Sequence, residues 1–129
     1  SLGPGIRDEL YPYMATVLKN IQCPPIKIGG TVDHIHILCL MSKTIAMSDL
    51  IEGIKVPTSR WLKTKDDRLS KFHWQNGYGA FSIGQSAVNR VEAYIANQEK
   101  HHRRMTFKDE FRKFLKRYQI EFDERYVWD

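Results

Sequence analysis

Cysteine is scarce in this chain: Cys23 and Cys39 are the only two, far apart and without C-x-x-C spacing. That argues against a disulfide framework or a cysteine zinc site, and two ordinary thiols suit a reducing cytoplasm. No apolar run approaches the roughly eighteen residues that cross a bilayer, so no membrane partner is expected. Residues 1–5, Ser-Leu-Gly-Pro-Gly, lack a basic stretch followed by an apolar one. They read as a flexible lead-in or an expression remnant, not as a secretory leader. Internal repeats, low-complexity tracts and linkers are missing too, which leaves one domain over residues 1–129 as the expectation.

What is present is an ordinary globular composition, 42% hydrophobic and 27% charged. The net charge is +5 and the pI about 9.3. This excess suits a polyanionic partner, although many proteins without one are equally basic. Apolar residues recur at helical spacing over 6–20 and predict a helix that starts near Pro12, before Pro24-Pro25 breaks the chain. Residues 26–28 and 31–41 read as two strands around a Gly29-Gly30 turn, hence an antiparallel hairpin. A helix is expected over 48–64, kinked or interrupted at Pro57, followed by a polar loop at 66–71. Residues 72–83 read as strand, glycine bend and strand. Ser86 is a cap for a long helix to about Arg104, and Thr106 a cap for a last helix with a stripe of Phe107, Phe111, Phe114, Leu115 and Tyr118. The class is α+β, an antiparallel sheet with packed helices.

Two short segments carry chemistry. In Asp33-His34-Ile35-His36, strand alternation puts His34 and His36 on one face, roughly 7 Å apart at Cα. Two imidazoles so placed can share a divalent ion, or simply bond to polar neighbours. Asp33, adjacent to His34, points to the other face. In the long helix Tyr94 and Gln98 are four residues apart, one above the other on the same side. Alone, Tyr94 also fits a boundary residue with a packed ring and a wet hydroxyl. Together the segments say more. A phenol, with an ordinary pKa of about 10, attacks a phosphodiester poorly at neutral pH. A divalent ion held by two imidazoles and an amide oxygen can polarise the phosphorus and keep positions open for phosphate oxygens. A phosphotyrosine link would store the energy of the broken bond for rejoining.

The His34-Ile35-His36 triplet resembles the His-hydrophobe-His motif that names the HUH nucleases. Tyr94 with Gln98 resembles the catalytic helix of the single-tyrosine transposases of small insertion sequences, relatives of the REP-associated tyrosine transposases. The stretches Phe72-His73-Trp74-Gln75-Asn76-Gly77-Tyr78-Gly79-Ala80-Phe81-Ser82 and Tyr94-Ile95-Ala96-Asn97-Gln98-Glu99-Lys100-His101-His102 look similar, in the family's order. So do Thr106-Phe107-Lys108-Asp109-Glu110 and Phe122-Asp123-Glu124-Arg125-Tyr126. The resemblance implies a ferredoxin-like HUH-endonuclease fold and a homodimer that recognises hairpins at the ends of a single-stranded element. It implies nicking and rejoining of single-stranded DNA through a 5′-phosphotyrosine, in the cytoplasm of a prokaryote and on the nucleoid when DNA is bound. Tyr94 would be the nucleophile, and His34, His36 and Gln98 the ligands of magnesium or manganese, within one subunit or across two. The strand with which the family usually opens is not recognisable before the first helix, so a sheet without it is expected. The alternatives are a decayed module that binds hairpin DNA without cutting it, and a hydrolase that uses the two histidines and water.

Lys55, Arg60, Lys63 and Lys65 cluster on the Pro57 helix and are candidates for DNA phosphates, or for a plain solvated face. Trp74 and Tyr78 are candidates for stacking on unpaired bases, although such aromatics more often belong to a core. Arg103 and Arg104 offer phosphate contacts, or simply offset the dipole of a helix end.

Overall fold

The computed structural model describes residues 2–31, 34–74, 80, 82–97, 109, 113 and 116. Its first element, α1 (Pro4–Asn20), follows from apolar residues at helical spacing and buries Arg7, Leu10, Met14 and Leu18. The sequence places its start near Pro12; instead the helix begins at Pro4 and runs through Pro12. Proline at the first turn gives up an N–H that no helical carbonyl would have used. Pro12 and Asp8, whose carbonyl loses its donor, both lie on the exposed face. Burial of three large apolar side chains on the opposite face offsets an interior-proline cost of about 3 kcal/mol.

The end of α1 is a Schellman turn. The Cys23 N–H donates to the Leu18 carbonyl at 2.9 Å and the Gln22 N–H to the Lys19 carbonyl at 3.0 Å. This forces Gln22 to φ 62°, the left-handed region that a side chain disfavours. Gln22→Gly is therefore expected to raise stability by up to about 1 kcal/mol in urea unfolding, and a loss of stability would refute the strain.

Strands β1 (Pro25–Gly30) and β2 (Ile35–Cys39) form an antiparallel hairpin with Gly29 opposite His36 and Gly30 opposite Ile35. The glycine pair expected to make the turn lies inside β1, and β2 is shorter than the predicted 31–41. The reversal comes later, where the Thr31 N–H donates to the His34 carbonyl at 2.9 Å. Glycine is needed at position 30 because a Cβ there would strike the His34 carbonyl and sit 2.8 Å from Ile35 Cα.

Helix α2 (Met47–Lys65) is continuous through Pro57, contrary to the expected interruption, and buries Leu50, Ile54, Thr58 and Leu62 at every fourth position. This unbroken buried seam packs on α1 and outweighs the local cost of the proline. Asp66 then accepts from the Arg68 N–H at 2.9 Å and caps a 3-10 turn, Asp67–Leu69, inside the predicted loop. Of the predicted strand pair over 72–83, the described residues are not strand, and 75–79 and 81 lie outside them. A 3-10 turn at Gln85–Ala87 leads into α3 (Val88–Ala96); Ser86 lies within that turn and makes no cap. The predicted continuation to Arg104 and most of the last helix lie outside the described residues; Asp109, Lys113 and Lys116 are helical.

The hairpin separates two apolar regions. Ile28, Ile35 and Ile37 pack against the main core of α1 and α2, built on Leu10, Met14, Leu18, Cys23, Leu50, Ile54 and Leu62. By strand alternation Gly29, His36 and Leu38 face the other way, where α3 brings Val91 and Ile95, both buried. A two-stranded ribbon is marginal alone, and helices on both faces stabilise it. Cys39 also packs on the main core; burial, and secondarily Cys23, hold its thiol above the ordinary range, so it stays protonated and unreactive. The result is the mixed α+β class expected. Among the described residues no helix is long and apolar enough to cross a membrane.

Candidate active site at the hairpin and α3

The site is built on a close approach of backbone to backbone. A Cβ on Gly29 would lie 2.7 Å from Ile95 Cγ2 and 2.8 Å from the Ile95 carbonyl oxygen, so α3 rests directly on the bare glycine. His36 is the cross-strand partner of Gly29, and Tyr94 precedes Ile95. Docking of Ile95 thereby brings Tyr94 to His36: their ring centroids are 5.9 Å apart at 71°, edge to face. His34 stands just before β2 and completes the group, its ring 4.9 Å from that of His36 at 82°.

All three rings are half-buried. Nε2 of His36 is fully shielded from solvent, and Nδ1 of His34 lies 3.1 Å from Oγ1 of Thr31. Among the described residues no three of His, Cys, Asp and Glu come together, so no described carboxylate joins the group. The donor set is therefore two imidazoles beside a phenol, with position 98, the expected amide ligand, outside the described residues. Such a set fits a divalent ion that keeps positions for oxygen ligands from elsewhere. Tyr94 meets His36 within a single chain.

The other candidates are dispersed. Arg60 and Lys63 are exposed on α2, which packs on the far side of the hairpin from Tyr94. Lys65 lies 3.9 Å from Glu9 Oε1 and 5.1 Å from the centroid of the Trp61 ring, which also stacks on Tyr13. Lys55 is half-buried, and desolvation lowers its ammonium pKa. Trp74 has a packing role: its indole N–H donates to Thr58 Oγ1 at 3.0 Å and its ring meets Phe72 edge-on at 5.1 Å. Tyr78, Arg103 and Arg104 lie outside the described residues. Two contributors escaped sequence reasoning, Gly29 and Thr31. The first looked like a turn residue and the second like the start of a strand; only the register exposes both.

Comparison with known proteins bears on the family and the fold. The family model described as "Transposase IS200 like" matches residues 2–98. A solved structure of a candidate transposase from Deinococcus radiodurans R1 superposes with a TM-score of 0.56 at 15% identity, over 74% of this chain and 78% of that one. That likeness shows the fold alone. No curated protein matches at a significant level. With the described helices and hairpin arranged as in that fold, and a family model matched over more than half of the chain, the chain belongs to the IS200-like transposase family.

Proposed function

We propose that the protein nicks and rejoins single-stranded DNA at hairpin-bearing element ends, with Tyr94 as nucleophile. The observation that carries this reading is the edge-on meeting of Tyr94 and His36 at 5.9 Å within one chain. The Tyr94 oxygen attacks a phosphodiester; the new O–P bond forms as the P–O3′ bond breaks. The phenolic proton goes to solvent, and the departing 3′ oxygen takes one up. A 3′-hydroxyl later attacks the phosphotyrosine, restores the phenol and rejoins the strand without an outside energy source. His34 and His36, with Gln98 by family resemblance, would hold magnesium or manganese, which supplies Lewis-acid polarisation of the phosphate.

Each lysine or arginine that meets a DNA phosphate would add about one to the salt dependence of binding. The working form is proposed to be a homodimer, one subunit for each element end, in the prokaryotic cytoplasm.

The test is incubation with a 5′-tailed hairpin oligonucleotide in magnesium or manganese. A covalent protein–DNA adduct, stable in denaturant and lost on chelation, is the expected result. A salt-sensitive mobility shift without adduct would replace the proposal with a binding module. Cleavage without adduct would replace it with hydrolysis by water.

A further inference from the structure

Beyond the ring that meets the tyrosine, the turn before β2 holds its neighbour in a particular way. Thr31 is buried, 4% exposed, although its hydroxyl is polar. The hydroxyl lies 3.1 Å from Nδ1 of His34, and the Thr31 N–H donates to the His34 carbonyl at 2.9 Å. That backbone bond extends the β1–β2 register by one pair, so both side chains stand on the face that carries His36. The ladder thereby sets the two side chains side by side, within reach of one hydrogen bond.

A threonine hydroxyl can give or take a proton. If it donates to Nδ1, the neutral ring carries its proton on Nε2 and has no lone pair there. If it accepts from Nδ1–H, the Nε2 lone pair is open. We propose that Thr31 is a positioning residue that accepts from Nδ1–H and so holds His34 in the tautomer able to ligate through Nε2. The consequence for metal binding rests on the ligand role proposed above for His34; the tautomer itself does not. Hydrogen-bond partners of this kind commonly set the orientation and tautomer of ligating histidines, and their loss weakens metal binding about 10–100-fold.

Long-range ¹H–¹⁵N spectra of the full metal-free chain, in alkaline solution where imidazoles are neutral, read the tautomer directly. Wild type and Thr31→Ser should show His34 protonated on Nδ1. Thr31→Val should shift His34 toward Nε2–H and weaken Mn²⁺ binding about 10–100-fold, while Thr31→Ser stays within about threefold of wild type. A wild-type ring protonated on Nε2 overturns the proposal, and that spectrum decides even if Thr31→Val does not fold. An unchanged tautomer in folded Thr31→Val overturns it as well. If the tautomer shifts as expected but no protein binds Mn²⁺, the positioning role of Thr31 stands and the ligand role of His34 falls.

Discussion

Tyr94→Phe is expected to reduce adduct formation on a 5′-tailed hairpin by about 10⁴-fold or more, the scale seen when an enzyme loses its nucleophile. The substitution keeps the ring that stands 5.9 Å from His36 and removes only the oxygen. Hairpin affinity should therefore change by no more than about twofold, and the melting temperature by little. Both should be measured beside the adduct, because a nucleophile and a packing residue predict different patterns. A packing residue would give a modest stability change and a modest rate change together. Retention of adduct near the wild-type level would move the nucleophile elsewhere and remove the central claim.

Gly29→Ala is expected to be the next most damaging change, though it adds one methyl and touches no reacting group. Its Cβ would sit 2.7 Å from Ile95 Cγ2 and 2.8 Å from the Ile95 carbonyl oxygen, well inside ordinary contact. The side chain can rotate, but the carbonyl belongs to the backbone of α3. The helix must lift, and Tyr94 lifts with it. Overpacking of this kind costs about 1–3 kcal/mol, and a misplacement of about 1 Å at a reacting group costs about 10²-fold in rate. Adduct formation should fall about 10²-fold while the protein still folds. Adding Ile95→Ala should restore only part of the rate, since it clears the methyl and leaves the carbonyl. Urea unfolding and single-turnover adduct kinetics on the three variants check this. A Gly29→Ala enzyme with wild-type kinetics would show that α3 is not seated by the glycine.

How much of this was legible beforehand depends on the kind of signal. Period-two alternation put His34 and His36 on one face, and that face is where α3 lies. The meeting with Tyr94 was accessible only through family resemblance, because residues 36 and 94 are joined by tertiary packing that local pattern does not encode. Proline and glycine misled in a consistent direction. Pro12 suggests a helix start and Pro57 a kink or interruption, yet both helices run through them because Leu10, Met14 and Leu18, or Leu50, Ile54 and Leu62, form unbroken buried seams. Gly29 and Gly30 were read as a turn, yet they serve close approaches, one to α3 and one to β2. In Trp74 the aromatic surface suggested stacking, and burial against Phe72 with a bond to Thr58 gives it a local task. In each case the residue type was informative, and the partner that explains it was far away in sequence.

The hairpin that stands between the two apolar regions has a consequence for how such an enzyme can change over generations. Leu18, Thr58 and Leu62 lie on one face of the hairpin and the contact of position 94 with position 36 on the other, so drift in the core is expected to shift the melting point more than that contact. Variants could then trade durability on one flank without retuning the reactive flank. A lineage of mobile elements, exposed to loose selection between hosts, would gain from having those two kinds of variation inherited almost independently.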